Sequence, residues 1–405
     1  MIGQVVSADH SQKYDSFVPP TEVASAEEQQ GSKGTAGSLP PEGPPKKKRR
    51  SVGEWFKALS GKQKLLITLA TVVVVSGATV GAYFAFFNKQ PAPAPIVAKK
   101  VERKVVPPQP TTVASNLTGL QVDPSVNERP VTGIMIENST DARPQSALSQ
   151  AGVVFEAIAE GGITRFLTLW QDTEPDYIGP VRSVRPYYIQ WAMGFDAAIA
   201  HVGGSPDGLA AMKSWHAKDL DQFAGAAYFW RISQRAAPHN MYTSIAKLRE
   251  YENKKGYGKS SFTAFVRKAK EAPSSTPTAR NINFNISSAT YNVHYEYDQA
   301  TNSYKRSEGG APHLDQSTNA QLSPKVVVAL VMPQGLDGKY TTYQTIGSGQ
   351  VLIFQDGTVT TGTWKKDSNN ANFSFTDANG SAIGLNPGQT WLTALGGTDR
   401  ISYTP

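Results

Sequence analysis

Cysteine is absent from all 405 residues. That absence excludes a disulfide framework, a thiol able to carry a lipid and any cysteine-ligated metal, so the folded part must hold itself by packing. An excess of charge is missing too, where it would matter most. Residues 111–405 carry 25 Lys and Arg against 25 Asp and Glu, and the net +7 belongs to the first 110 residues. A formally neutral globular part argues against a nucleic-acid partner, since such partners are held through neutralised phosphates. The sequence has no internal repeat, no HExxH spacing and no GxSxG elbow, so neither a zinc hydrolase nor a nucleophile-elbow hydrolase is supported. No metal and no cofactor is expected.

The longest apolar run, residues 65–87, has no charge at any of its 23 positions. As a helix it would reach roughly 34 Å, enough for a hydrocarbon core of about 30 Å. Lys46, Lys47, Lys48, Arg49, Arg50, Lys57, Lys62 and Lys64 precede it, against Lys89, Lys99, Lys100, Arg103 and Lys104 after it. This bias sets a cytoplasmic N-terminus and an extracytoplasmic C-terminal part, a single pass through the cell membrane. A cleaved signal is the rival reading, with Ala92-Pro93-Ala94 as its site, but the run is longer than a signal core and starts 64 residues in. The basic cluster could also serve as a nuclear address; beside a span it serves to orient the helix and to meet anionic headgroups.

Composition divides the rest. Residues 1–64 read as a disordered cytoplasmic tail and 88–126, with PAPAP and VVPPQPTT, as an extended Pro-rich stalk. The fold class expected beyond it is α+β, with a mixed α/β first lobe at 127–270 and a β-rich lobe at 271–405. Strands are expected at 131–137, 153–160, 163–170 and 197–203, helices from Pro186, from Pro206 to about His216, and from Ser244 to Lys255 with Thr243 as cap. The second lobe offers short alternating runs: NINFNIS, YNVHYEYD, KVVVALVM, GQVLIFQDG, TVTTGTWKK and TWLTAL. The alternation of His294, Glu296 and Asp298 reads as the polar face of an antiparallel sheet, with metal ligation as the alternative.

Several clusters could carry chemistry. A two-residue turn at Gly161-Gly162 pairs Glu160 with Ile163 and Ile158 with Arg165, so Glu156, Glu160 and Arg165 are expected on one sheet face. The trio reads as a cross-strand ion network; the alternative is a pair of acid–base carboxylates. Arg182 and Arg185 precede a helix N-terminus, a placement that opposes the local dipole and invites an anion, or an internal ion pair. Ser205 fits a helix N-cap beside a Gly-Gly loop, with His201 just before it. Arg231, Arg235, His239 and Asn240 lie within ten residues among Phe229, Trp230 and Tyr242, a mixture suited to sugars or anions. His201, His239 and Asp207 could meet a metal, but no ligand spacing supports it.

The segments RPVTGIMIENSTDARPQSALSQAGVVFEAIAEGGITRFLTLW, IGPVRSVRPYYIQWA, FDAAIAHVGGSP and FWRISQRAAPHNMYT resemble the YerB-like family of bacterial envelope proteins, a domain of unknown function. The resemblance spans about residues 129–250, and VLIFQDGTVTTGTWKK and LNPGQTWLTAL resemble the family's C-terminal domain. It implies a surface-exposed, membrane-tethered protein, often a lipoprotein. Without cysteine, the helix at 65–87 would replace the lipid.

Three functions follow as expectations. The first is an envelope protein binding an anionic ligand, such as cell-wall glycan or a phosphate-bearing polymer, through one pocket of Arg165, Arg182, Arg185, His201, Ser205, Arg231, Arg235, His239 and Asn240. The second is a hydrolase of wall glycan or a phosphodiester, using Glu156 or Glu160 with His201 or His239. The third is a scaffold that recruits wall-synthesis proteins through the β-rich lobe.

Overall fold

The computed structural model describes residues 52–87 and 111–405, divided between the units Met1–Arg103 and Lys104–Pro405. Of the tail expected over 1–64 and the stalk expected over 88–126, all but 52–64 and 111–126 lies outside the described residues.

In the first unit the apolar helix runs Gly61–Phe87, starting four residues before the uncharged run. Ser60 explains the earlier start. Its backbone N–H and hydroxyl both donate to Gln63 Oε1, at 3.0 and 3.1 Å, one half of a capping box. Thr68, Thr71, Ser76 and Thr79 donate their hydroxyls to carbonyls four residues back, so polar side chains are satisfied within the helix itself. None of its residues is buried, and at roughly 40 Å it is long and apolar enough to cross a bilayer. A short helix, Val52–Lys57, stands where the tail was expected to lack structure; the Pro-rich composition ends at Pro45.

The second unit is built on one large sheet. Its strand order is Ser374–Thr376, Thr358–Lys366, Gly347–Gln355, Val326–Val331, Thr390–Leu395, Val153–Glu160, Ile163–Trp170, Thr132–Glu137, Ala198–His201 and Asp219–Asp221, with the hairpin Gln334–Asp337/Tyr340–Tyr343 to the side. Thr390–Leu395 runs parallel to Val153–Glu160, pairing Thr390 with Val153 and Thr393 with Glu156. Strands of both expected lobes therefore complete a single sheet. A smaller antiparallel sheet, in the order Ala311–Pro312, Ser303–Glu308, Val293–Asp298, Asn281–Phe284 and Ile401–Thr404, covers one face. There Ile282, Phe284, Tyr295 and Tyr304 pack with Ile134, Val154, Phe166 and Trp391. On the opposite face Tyr188 and Trp191 of helix Pro186–Met193 pack with Phe155 and Leu167. Strands buried on both faces read as continuous apolar runs, which is why VVFEAIA and TGIMI carry so few polar residues.

Local chemistry sets the remaining boundaries. Pro206 opens helix Pro206–Ser214, and Ser205 caps it by accepting from Gly208 N. Helix Ile245–Lys255 is capped by Ser244, whose hydroxyl accepts from Lys247 N, and not by the expected Thr243; Thr243 Oγ1 donates to Tyr228 O instead. Residues 113–122, expected as the end of the stalk, pair as two short strands and bury Leu117. Asp172 holds them by accepting from Ser115 and Thr118.

Lys366 ends its strand fully buried, donating to the carbonyls of Asn369 (3.0 Å) and Ala371. Burial depresses its pKa from 10.5 to about 7. Between those two values the unfolded chain binds a proton that the folded chain does not, so this lysine makes stability rise with pH across that window. In urea melts of wild type and Lys366→Met, the wild type should gain on the variant as pH is raised from about 7 toward 10.5.

Candidate functional site

The hairpin 153–170 turns at Gly161 and Gly162, both with positive φ (59° and 78°), as a two-residue primed turn requires. Glu160 pairs with Ile163, as expected. One step further the register departs: Ile158 pairs with Thr164, Ala157 with Arg165 and Glu156 with Phe166, leaving Ala159 without a partner. This bulge adds one residue to a strand with a period of two, so it reverses the face of everything beyond it. The expectation that Glu156, Glu160 and Arg165 share a face is thereby corrected. Glu160 lies with Arg165, and Glu156 points to the other side.

On that other side Glu156 is sealed. Arg306 Nη2 donates to both its oxygens at 3.0 and 2.9 Å, Trp391 Nε1 donates at 3.0 Å and Thr164 Oγ1 at 3.2 Å. Arg306, from the small sheet, also meets Glu308 at 3.0 Å and lies 4.6 Å from the centre of the Trp391 ring. Arg143 and Asn138 donate to the far oxygen of Glu308, at 3.0 and 2.6 Å. Burial pushes the Glu156 carboxyl up although Arg306 opposes it, and burial together with Arg306 holds His313 well below the ordinary imidazole range. A cleft of about 500 Å³ opens beside this network, lined by Arg143, Thr290, Glu308, Pro312 and His313 among others. The network is a structural tie: every Glu156 oxygen is occupied, leaving no lone pair to act as a base.

The opposite face gathers the arginines. Glu160 accepts from Arg165 Nη2 at 3.2 Å and from Arg185 Nη2 at 2.5 Å. Burial would raise its pKa, and the two guanidinium charges more than offset that, holding it below the ordinary value. Glu137, at the end of its strand and opposite Arg165, lies 3.3 Å from Arg182 Nε and accepts from His239 Nδ1 and Ser139 Oγ, each at 2.9 Å. Burial lowers the pKa of Arg182; Glu137 opposes this and the like charge of Arg165 adds to it. Three arginines thus face two carboxylates. Arg165 and Arg185 are 4% exposed, while Arg182 at 23% and His239 at 22% reach solvent. The Nε atoms of all three arginines and Oε2 of Glu137 are buried without a hydrogen-bond partner.

The other candidates are distributed around this group. Ser205 shares a cleft of about 80 Å³ with Arg185, Asp207 and Tyr340, and its oxygen is engaged as a cap. His201 does not join the arginines: it is fully buried, bonded to Gly203 O at 2.8 Å and Asp219 at 3.1 Å, with Asp221 at 3.7 Å. Arg231 donates to Asn240 Oδ1 at 2.6 Å, and Arg235 to the carbonyls of Asp141 and Pro144 at 2.7 and 2.6 Å. Among the described residues no cluster of His, Asp and Glu suits a metal. Sequence reasoning missed Glu137, Ser139, Arg306 and Glu308. Glu137 had a signal, a lone carboxylate closing the apolar run TGIMI.

The class this architecture defines is an α+β protein with a β-rich C-terminal part and one N-terminal apolar helix. A family profile described as "Protein of unknown function (DUF3048) N-terminal domain" matches residues 117–258, and its C-terminal counterpart matches 282–392. YerB of Bacillus subtilis (strain 168), which bears the name of a lipoprotein, is 30% identical over 310 residues, 75% of this chain and 92% of its own length. The crystal structure of Bacillus subtilis YerB aligns with a TM-score of 0.65 at 29% identity, covering 72% of this chain and 100% of that one. The chain belongs to the YerB-like DUF3048 family, as its motifs implied. With no cysteine in the sequence there is no thiol for a lipid.

Removing one member of a buried ion network leaves the others charged and unpaired. Arg306→Ala is therefore expected to destabilise the chain by about 3–5 kcal/mol, read from urea unfolding. Glu296→Ala, on an exposed position of the same small sheet, should stay within about 0.5 kcal/mol.

Proposed function

We propose that this chain is a single-pass membrane protein with a cytoplasmic N-terminus, whose Lys104–Pro405 unit works outside the membrane by binding an anionic ligand such as cell-wall glycan or a phosphate-bearing polymer. The observation that carries the reading is Arg182. Its guanidinium is part exposed and makes no aligned hydrogen bond, and two further arginines and His239 stand beside it. Three guanidinium groups against two carboxylates leave a positive surplus in a half-buried setting, where charge is screened less than on an open surface. Planar guanidinium donors match the oxygens of carboxylate and phosphate groups. The helix Gly61–Phe87, uncharged from Leu65 on, the basic residues before and at its start and the kinship with a protein named as a lipoprotein support the tether. Acid–base catalysis by Glu156 is not part of this reading, because its oxygens are filled by Arg306, Trp391 and Thr164.

The test uses the full chain in detergent micelles, titrated with isolated wall polymer over a series of salt concentrations. Binding should weaken as salt rises, and Arg182→Ala should lose about tenfold or more in affinity, the worth of one charge-assisted hydrogen bond. The variant gives up the 3.3 Å ion pair with buried Glu137, so its unfolding is measured alongside and affinities are compared under conditions where both proteins are folded. Salt-independent binding, or full affinity in Arg182→Ala, would overturn the proposal.

A further inference from the structure

An anion site with a carboxylate inside it poses a chemical question. Glu137 is 3% exposed, and its Oε1 already accepts from Ser139 Oγ and His239 Nδ1. Its Oε2 is buried and accepts nothing. The nearest donor, Arg182 Nε at 3.3 Å, is misaligned and is itself without a partner. An oxyanion that moves Arg182 aside from its 3.3 Å position over Glu137 would therefore meet an unfilled lone pair there. A fully ionised ligand with only lone pairs to offer would be repelled there, because two acceptors cannot share a bond and the carboxylate is too buried for water to screen it. A ligand that brings its own hydrogen would instead satisfy both groups, accepting from Arg182 and donating to Glu137 Oε2.

We infer that Glu137 is a specificity-determining residue, and that the site takes an oxyanion carrying or adjoining an O–H, such as hydrogen phosphate or a phosphate flanked by a sugar or glycerol hydroxyl, and rejects sulfate. The inference rests on the anion-binding reading above and narrows its ligand class. A site whose buried acceptor needs a donor discriminates strongly against the analogue that lacks one. Ser139 reinforces this. It stands before the turn Thr140–Ala142 but makes no capping bond; its hydroxyl donates to Glu137 Oε1 instead, which leaves Oε2 for the ligand.

Calorimetric titration of the full chain in detergent micelles tests it with four probes: inorganic phosphate, sulfate, a glycerophosphodiester with free hydroxyls, and dimethyl phosphate. Phosphate should bind at least about tenfold more tightly than sulfate, and dimethyl phosphate should behave like sulfate. Binding of the glycerophosphodiester would identify a neighbouring hydroxyl as the donor; its failure beside bound phosphate would identify the ligand's own hydrogen. In Glu137→Gln the amide can supply a donor, so sulfate should rise to within about threefold of phosphate. Equal binding of phosphate and sulfate by the wild type would overturn the inference while leaving the anion site standing, and this comparison needs no variant. A Glu137→Gln protein that folds and keeps the full preference would overturn it too. Failure of all four probes would remove the anion site itself.

Discussion

One inserted residue, Ala159, controls the chemistry of this protein. In a strand the faces alternate, so the unpaired residue between Ile158 and Glu160 sends two carboxylates four positions apart to opposite sides of the sheet. Glu156 goes to the side covered by the small sheet, where it can be buried only because Arg306 and Trp391 meet it there. Glu160 goes to the side of Arg165 and Arg185, where it neutralises part of a positive group. Without the bulge both would compete for one environment.

The two sides then have opposite electrostatic outcomes. Around Glu156 the hydrogen bonds run through Arg306, Glu308, Arg143 and Asn138, linking the large sheet to the small one and filling both Glu156 oxygens, with Arg306 Nε left unpartnered. Such a network adds little net stability over an apolar core but is costly to break, so it specifies how the two sheets dock. Around Glu137 and Glu160 three arginine Nε atoms are buried without a partner, as Arg306 Nε is on the other side, but Oε2 of Glu137 is the one carboxylate oxygen among the described residues that is buried and unfilled. The Glu156 side ties the two sheets together; the Glu137 side is where the proposed ligand would bind. The parallel strands Thr132–Glu137 and Ala198–His201 both end on the Glu137 side, the usual location of binding sites in sheets with parallel strands.

Much of the frame was legible in the sequence. The strands Val153–Glu160, Ile163–Trp170, Thr358–Lys366 and Thr390–Leu395 agree with the expected runs to the residue, because each is a β-branched or apolar stretch stopped by glycine, aspartate or proline nearby. Ser205 and Pro206 announced their helix by capping chemistry. The arginine group was legible only in part. Arg165, Arg182 and Arg185 do come together, whereas His201 is taken by Asp219 and Arg231 by Asn240. Two things could not be read. A bulge adds one residue without disturbing an apolar run, so nothing in VVFEAIAE marks it. Arg306 lies in SYKRSE, whose polar letters suggest a solvent-facing strand; its burial depends on which sheet packs above it, a tertiary fact.

The division between the two faces can be measured directly by NMR of the arginine Nε–H groups in the full chain, recorded as inorganic phosphate is added. The Nε–H signals of Arg165, Arg182 and Arg185 are expected to shift together and saturate, while that of Arg306, equally without a partner but sealed beneath the small sheet, is expected to stay unmoved. If Arg182 stays in place while phosphate binds elsewhere, or if Arg306 responds in its stead, the assignment of the two faces is contradicted.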